Sequence, residues 1–409
     1  MPSRSAERAS RAALRPGLVM VGLLLIGANL RAGITSVGPV LDNIQAQLHI
    51  SAATASALIS VPLVAFAVVS PLAPLLGRRL GLEQTLALAL VVLTAGIVVR
   101  SLPGPGLIWV GTVLLGVAVA VINVELPALV KRDFPARIGQ MTGAYSAVQS
   151  TFAALAAGLA VPIAGMAAAG WRLSLGVWAG LAVVALAVFA PQLRRHTREL
   201  ADEYADGWDE PVEPGDHSTR RSPWRTALGW QVSLFMGLQS IGYYVVITWM
   251  PTIEKDGGIG ATAAGVHQFL LNGFAIGGSL ICSALIPRLR DQRGLALATV
   301  AGFTGGLVGH LLDPGGALVW DCLLGLSGGA SIVLALSFFG LRTRHHPEAA
   351  SLSGMAQSIG YVLAAAGPIV FSSIHDVTGS WTPSLLMMLG VQALLAVTAV
   401  LAGRARYLS

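Results

Sequence analysis

Asn29-Leu30-Arg31-Ala32-Gly33-Ile34-Thr35-Ser36-Val37-Gly38-Pro39 lies inside the first long apolar segment of the chain and carries one guanidinium group. An arginine at the centre of a membrane helix costs about 2.5–3.5 kcal/mol on insertion scales, so a functional role is the default interpretation. At helical spacing, Arg31 shares a small and polar face with Ala28, Thr35 and Gly38. This face predicts a water-filled cavity beside Arg31. The alternative is an arginine that only ties helices together through backbone carbonyls or a buried carboxylate.

The composition of the chain indicates a protein that crosses the membrane several times. Of its 409 residues, 54% are hydrophobic and 11% are charged, and the mean hydropathy is +0.71. A soluble domain does not need this much apolar surface. The net charge of +6 could suggest a nucleic-acid partner, but the basic residues are spread over short loops. This distribution favours the inner leaflet of a lipid bilayer as the partner.

Twelve apolar segments are long enough to span a membrane as helices. The loops between them carry helix breakers, as in Asp313-Pro314-Gly315-Gly316. Cys282 and Cys322 both lie within apolar segments, a pattern that predicts neither a disulfide framework nor a metal site. The predicted helices are 17–41, 53–76, 84–101, 106–130, 138–165, 173–193, 226–250, 262–287, 294–312, 316–341, 350–374 and 382–403.

The distribution of basic residues predicts the orientation of these helices. The two terminal tails and every second loop hold 22 of the 26 lysines and arginines, whereas the opposite loops hold only Arg100, Arg172 and Lys255. Because basic loops stay in the cytoplasm, both termini are predicted to be cytoplasmic in an inner membrane. Arg31 is then the only basic residue predicted to lie deep inside a span.

A polar segment divides the predicted helices into two sets of six. Residues 196–224 are acidic in their middle and contain two prolines, a composition that cannot bury a core. We therefore predict an N-terminal bundle at 1–195, a cytoplasmic linker at 196–224 and a C-terminal bundle at 225–409. The halves match weakly at an offset of about 210 residues, since Phe134-Pro135 corresponds to His346-Pro347. Two such repeats predict a site at their interface near the midplane.

Polar side chains form stripes along several predicted helices. Gln239 and Tyr243 lie four residues apart in helix seven, and Gln357 and Tyr361 have the same spacing in helix eleven. Such groups could give an anion neutral hydrogen-bond donors, while Arg31 gives charge and a fork of N–H groups. The alternative is that these side chains only link helices. The predicted substrate-binding residues are Arg31, Asn29, Thr35, Asn123, Gln239, Tyr243, Tyr244, Gln357 and Tyr361.

Three titratable residues are candidates for proton coupling. Glu125 is the only acidic residue well inside the N-terminal half, and its alternative role is a structural ion pair with Lys131 or Arg132. Asp321 lies near the outer end of helix ten, where it could simply reach headgroup water. His267 lies near the outer end of helix eight and has an imidazole that can titrate at neutral pH. A lone histidine there is more often only hydrogen-bonded.

Several runs of sequence carry a resemblance that covers nearly the full length. They are Asn29-Leu30-Arg31, residues 127–135, Gly237-Leu238-Gln239-Ser240 and residues 352–361. With twelve helices in two repeats, they resemble the major facilitator superfamily and, within it, the cyanate/2-nitroimidazole permease (cyanate transporter-like) family. The resemblance implies the two-bundle major facilitator fold and alternating access. It also implies small anions or small polar organic compounds as substrates.

Two features depart from the pattern of that superfamily. The loop Gly77-Arg78-Arg79-Leu80-Gly81 keeps the expected basic residues but lacks the acidic residue that usually accompanies them. Glu125 stands where an apolar residue is expected. The role of Glu125 therefore cannot be taken from the resemblance.

The sequence therefore predicts an all-α membrane protein that acts as a secondary active transporter of a small anionic or polar organic solute. Cyanate-like ions, carboxylates and nitro compounds fit this class, and proton coupling is a weaker hypothesis. The protein is expected to be a monomer without a cofactor. The alternative is a proton-linked multidrug exporter of hydrophobic or cationic compounds. Catalytic and nucleotide-binding motifs are absent from the sequence, so neither an enzyme nor an ATP-driven pump is expected.

Overall fold

The computed structural model describes residues 16–104, 106–194 and 222–408. The basic N-terminal residues and most of the predicted linker at 196–224 lie outside these ranges. Regular structure in the described ranges is helical throughout. The helices are α1 Pro16–Thr35, α2 Leu41–Leu48, α3 Ala52–Val69, α4 Ala73–Leu80, α5 Leu82–Ser101, α6 Leu107–Asp133, α7 Ile138–Gly165, α8 Trp171–Gly176, α9 Trp178–Phe189, α10 Ala227–Asp256, α11 Ala261–Leu285, α12 Arg293–Leu312, α13 Ala317–Leu341, α14 His346–Thr378 and α15 Trp381–Ala402.

The number of membrane spans agrees with the prediction from hydropathy. In the described part of the chain, eleven helical spans are long and apolar enough to cross a membrane. The stretch Leu58–Val69 and helix α4 add a twelfth span if this pair, bent by 60°, is counted as one. Hydropathy alone predicted a single helix at 53–76 here. The break lies at Pro71, whose missing N–H and fixed φ interrupt a helix.

The first predicted helix is also shorter than hydropathy indicated. Helix α1 ends at Thr35, and a 3-10 turn at Gly38–Val40 leads into α2. The helical spacing predicted that Gly38 lies on the same face as Arg31. Gly38 instead lies beyond the end of α1 and does not continue that face. Pro39 is at the start of that turn, where its missing N–H is tolerated.

The chain divides into two compact units. The first comprises Met1–Leu126 and Val148–Ser218, and the second comprises Pro127–Ala147 and Thr219–Ser409. The segment Pro127–Ala147 thus groups with the C-terminal half, although the sequence-based domains assign it to the N-terminal bundle. Within the second unit, the hydroxyl of Ser283 donates to the carbonyl of Gly139 at 2.9 Å, which ties α7 to α11.

Small residues allow two helices of the second unit to touch along their backbones. Helices α11 and α13 meet where a Cβ on Gly325 would collide with the carbonyl of Leu271, and a Cβ on Gly329 with the carbonyl of Ala275. The hydroxyl of Ser279 on α11 donates to the carbonyl of Gly329 at 3.0 Å. Close approach through small residues is the usual means of packing helices in a membrane. The residue numbers differ by the same amount in both pairs. The two helices therefore pack side by side in a single register.

Candidate functional site

Arg31 lies in the second half of α1, and its side chain is partly exposed although the neighbouring Leu30 and Ala32 are buried. The hydroxyl of Thr35 donates to the carbonyl of Arg31 at 3.1 Å and to the carbonyl of Ala153 at 3.0 Å. Thr35 therefore joins the end of α1 to α7. Arg31 thus combines a charged side chain with partial exposure inside a predicted span.

The two predicted asparagines differ in their surroundings. Asn29 is 4% exposed, and its amide donates to the carbonyls of Leu25 at 2.8 Å and Leu181 at 3.4 Å. The bond to Leu181 joins α1 to α9, so the amide of Asn29 serves helix packing. Asn123 on α6 is partly exposed, whereas Glu125 on the same helix is buried. The two side chains point in different directions, because residues two apart on a helix are separated by about 200°.

Arg100 is a buried residue of the first unit whose role the sequence did not indicate. Charge distribution assigned it to an outer loop, but it lies in the last turn of α5 and is 1% exposed. Its guanidinium donates to the carbonyl of Gly33 at 2.7 Å and to the carbonyl of Leu175 at 3.5 Å. Both carbonyls belong to the last turns of helices, α1 and α8, where backbone acceptors lack a helical partner. Arg100 therefore caps two helix ends.

The carboxyl group of Glu125 lies against the backbone of α4. Glu125 is 2% exposed, and a Cβ on Gly77 would lie 2.7 Å from its Oε1 atom. Among the described residues, Oε1 has no hydrogen-bond partner. Gly77 begins the run of residues 77–81, which was predicted as a loop and which lacks the expected acidic residue. Most of this run lies in α4, and the carboxyl group of Glu125 lies beside it. The structural alternative of an ion pair with Lys131 or Arg132 does not account for this contact.

The predicted polar residues of the second unit lie on two helices that pack against each other. The amide nitrogen of Gln239 on α10 donates to the hydroxyl of Ser240 at 2.9 Å and to the carbonyl of Met236 at 3.1 Å. On α14, the amide nitrogen of Gln357 donates to the hydroxyl of Ser353 at 2.8 Å. Both glutamines are buried. Each one is held by its own helix in a fixed orientation.

Glycines bring α10 and α14 close together beside these glutamines. A Cβ on Gly360 would lie 3.1 Å from the side chain of Met236, and one on Gly367 would lie 2.9 Å from Ile241. One turn along α10, the rings of Tyr243 and Tyr244 meet edge to face with centroids 5.5 Å apart. Both tyrosines are partly exposed. The second unit thus gathers neutral amide and phenol groups on neighbouring helices.

A second group of titratable side chains lies at the other end of α10. His267 Nδ1 and Glu254 Oε1 are 3.0 Å apart, and His310 Nε2 and Asp321 Oδ1 are 2.9 Å apart. One ligating atom from each of Glu254, His267 and Asp321 lies within 4.8 Å of the others. We call Glu254, His267, His310 and Asp321 the carboxylate–histidine cluster. It joins two coupling candidates, His267 and Asp321, to residues that the sequence did not single out.

The sequence contained a signal for this cluster that hydropathy does not reveal. Glu254 and His267 flank the turn between α10 and α11, and His310 and Asp321 flank the turn between α12 and α13. Residues near a tight turn, on either side of it, lie at the same end of a helical hairpin. The register of Leu271 with Gly325 also extends by one turn to His267 with Asp321.

Comparison with known proteins gives matches along almost the whole chain. The sequence model described as the Major Facilitator Superfamily matches residues 23–368. The "Uncharacterized transporter YycB" of Bacillus subtilis (strain 168) is 38% identical over 392 residues, covering 95% of this chain and 94% of the relative. The "2-nitroimidazole transporter" of Escherichia coli (strain K12) is 37% identical over 387 residues, covering 95% of each chain.

A more distant relative and a solved structure also match most of the chain. The "Cyanate transport protein CynX" of Escherichia coli (strain K12) is 25% identical over 368 residues, covering 89% of this chain and 91% of the relative. The solved structure of a proton:xylose symporter, XylE, superimposes with a TM-score of 0.77 at 13% identity, covering 96% of this chain and 97% of the symporter. These matches confirm the predicted fold and the resemblance stated from the sequence motifs.

Proposed function

We propose that this chain, which belongs to the major facilitator superfamily, is a secondary active transporter that recognises a small anionic or polar organic solute through Arg31. The family and its named relatives are transporters rather than enzymes. One observation carries the proposal. Arg31 is partly exposed and lies in the apolar helix α1, where a charged residue is costly and commonly functional.

The names of two relatives support this class of solute. One relative is described as a transporter of 2-nitroimidazole and another as a transport protein for cyanate. Both solutes are small and polar, and cyanate is an anion. A guanidinium offers five N–H donors in a planar fork that suits oxygen-bearing groups of this kind. The relatives therefore favour the anion and polar-solute hypothesis over a site for hydrophobic cations.

The second unit holds a separate group of neutral side chains that could take part in recognition. Gln239 and Gln357 are buried amides, and Tyr243 and Tyr244 are partly exposed phenols. A solute whose own polar groups find hydrogen-bond partners among such side chains is favoured over a solute whose groups stay unpaired. Selectivity among small polar solutes would then depend on these amides and phenols, and affinity for anions on Arg31.

Glu125 is the candidate for a proton carrier in this mechanism. It is a buried acidic side chain inside a span, and such groups commonly mark proton pathways. Glu125→Gln keeps its size and removes its ability to exchange a proton. If coupling uses Glu125, transport into vesicles stops responding to an imposed pH gradient in this variant. Unchanged gradient dependence would remove Glu125 from the mechanism and leave the rest of the proposal intact.

Thermal stabilisation of the purified protein tests the proposal directly. A ligand at 100 times its Kd stabilises the folded state by about 2.7 kcal/mol. We expect cyanate, 2-nitroimidazole or a small carboxylate such as 4-hydroxybenzoate to raise the unfolding temperature of the wild type but not of Arg31→Ala. Arg406→Ala is the matched control, because Arg406 is exposed after the last helix. Stabilisation of wild type and Arg31→Ala alike by apolar cations, with no response to anions, would favour the multidrug exporter instead.

A further inference from the structure

We infer that the carboxylate–histidine cluster is a binding site for one divalent transition-metal ion of the zinc class. This site lies within the second unit and does not depend on which solute the protein transports. Glu254, His267 and Asp321 supply the ligands, and His310 orients Asp321. The sequence alone predicted no metal site, because these residues come from four different helices without a recognisable spacing.

The ligand atoms have the chemistry and spacing that zinc needs. Zinc binds imidazole nitrogen and carboxylate oxygen at about 2.0–2.2 Å, which places tetrahedral ligands about 3.4 Å apart. One atom each from Glu254, His267 and Asp321 already lies within 4.8 Å of the other two. Small side-chain rotations therefore bring all three to bonding distance. A fourth position stays open to water.

One ligand atom is buried and lacks a hydrogen bond. The side chain of Glu254 is 1% exposed, and its Oε2 atom has no hydrogen-bond partner among the described residues. A buried carboxylate oxygen without a donor is costly. The second carboxylate, Asp321, lies beside it, so the two groups repel each other unless a cation or a proton lies between them. A divalent ion compensates both negative charges at once.

The surroundings of Asp321 match those of a metal ligand. His310 Nε2 lies 2.9 Å from Asp321 Oδ1, and both side chains are almost fully buried. A hydrogen bond to one oxygen fixes the carboxylate and leaves the other oxygen to face the ion, as groups outside the coordination sphere commonly do. The close contact of Leu271 with Gly325, one turn away, keeps His267 and Asp321 in register.

The ion can reach the cluster through His267. Its side chain is 14% exposed, whereas the other three side chains are at most 2% exposed. The cluster borders the turns at 257–260 and 313–316, which the distribution of basic residues assigns to the outer side of the membrane. In that orientation, zinc binds from outside without crossing the bilayer.

Zinc titration of the purified, tag-free protein tests this inference. We expect one zinc ion per chain by calorimetry and a rise in unfolding temperature, with no response to magnesium, which prefers oxygen ligands. Glu254→Gln, His267→Gln and Asp321→Asn should each weaken zinc binding by more than about 100-fold. His310→Gln should weaken it by about 10- to 100-fold, the range typical of groups that orient ligands. None of these changes removes much volume, so the variants should fold.

Two control variants separate the cluster from other zinc ligands in the chain. The pair His345→Gln and His346→Gln removes the adjacent histidines that begin α14, and Cys322→Ser removes the thiol next to Asp321. Both controls should bind zinc like the wild type. Loss of binding in either control, or zinc binding that survives Asp321→Asn and Glu254→Gln, would overturn the proposed ligand set.

The test also distinguishes a metal ion from a proton. If zinc has no effect on the wild type, the metal site is refuted. If acidification alone stabilises the wild type, and the same substitutions abolish this effect, the cluster binds a proton instead. The zinc titration needs no transported solute, so it gives the same answer whether or not Arg31 proves to recognise anions.

Discussion

Arg31 and Arg100 belong to the same unit, and the structure gives them different surroundings. Arg100 is 1% exposed and donates to the backbone of α1 and α8. Arg31 lies two residues before Gly33, the carbonyl that Arg100 caps, yet its side chain is partly exposed. The fully buried guanidinium thus has a structural role at helix ends. The partly exposed arginine lies within a helix, and the proposed function assigns the recognition of the solute to it.

The second unit also contains a buried arginine with a structural role. Arg342 is 2% exposed and donates to the carbonyls of Ala402 at 2.8 Å and Gly403 at 2.9 Å, at the end of α15. Burial lowers the pKa of Arg342 to about 10, which still leaves it charged at neutral pH. Each unit therefore uses one buried arginine to cap the end of a helix. The comparison teaches that burial together with bonds to terminal carbonyls identifies a structural arginine.

Removing the capping arginine should have the largest effect on folding. Arg100→Leu removes the donor of the Leu175 carbonyl and leaves the Gly33 carbonyl only a 3.4 Å bond from the hydroxyl of Ser36, and each poorly satisfied buried acceptor costs about 1–3 kcal/mol. We expect a loss of about 3 kcal/mol, measured as a lower unfolding temperature and a lower yield of monodisperse protein. Arg100→Lys should recover part of the loss. A fully stable Arg100→Leu protein would contradict the structural role.

Removing the partly exposed arginine should affect binding rather than folding. A hydrogen bond to a charged group is worth about 1.5–3 kcal/mol, so Arg31→Ala should weaken anion binding by about 10- to 100-fold. Its unfolding temperature without ligand should stay close to that of the wild type. Titration of cyanate or 4-hydroxybenzoate against both proteins measures the difference. Equal loss of stability in Arg31→Ala and Arg100→Leu would remove the distinction between the two arginines.

Hydropathy and charge distribution predicted the fold, but they could not separate these arginines. Span lengths follow from apolar composition, and the two repeats follow from similar motifs at a constant offset. Arg100 was assigned to an outer loop because its distance from the end of α5 is only one residue. Its burial depends on the packing of α8, which carries Leu175 and lies at the start of the predicted helix 173–193. Tertiary neighbours, rather than local sequence, decide whether an arginine at a helix end is capped or exposed.

The carboxylate–histidine cluster was missed for a related reason. Sequence analysis considered His267 and Asp321 separately, since their partners Glu254 and His310 lie across turns in other helices. Which faces of those helices meet depends on their rotation, which is set by glycine contacts such as Gly325 with Leu271. Amphipathic periodicity is weak in helices that are apolar on all sides, so the rotation cannot be deduced from hydropathy.

The contact of Glu125 with Gly77 extends the comparison to an acidic side chain. A Cβ at Gly77 would lie 2.7 Å from Glu125 Oε1, so overpacking of about 2 kcal/mol should outweigh the helix preference of alanine, and Gly77→Ala should destabilise the protein by about 1 kcal/mol. In a Glu125→Ala background the clash is absent, and alanine is favoured over glycine in a helix by about 1 kcal/mol. The sign of the effect should therefore reverse. Unfolding of the two single variants and the double variant measures this coupling.

A substitution of Thr35 should have the smallest effect. It tests whether Thr35 contributes to the recognition of anions beside Arg31. Its hydroxyl has one hydrogen, which is already directed at the carbonyls of Arg31 and Ala153. It therefore has no second hydrogen for an anion. A hydrogen bond in a membrane protein is worth about 0.6 kcal/mol, which corresponds to a change in affinity of about 3-fold. Thr35→Val should therefore change anion affinity by less than about 3-fold. Thr94→Val is the matched control, because the hydroxyl of Thr94 donates only to Leu90 of its own helix. A stability loss in Thr35→Val that exceeds the loss in Thr94→Val would assign Thr35 to the joint between α1 and α7. A large loss of affinity would instead return Thr35 to the recognition site beside Arg31.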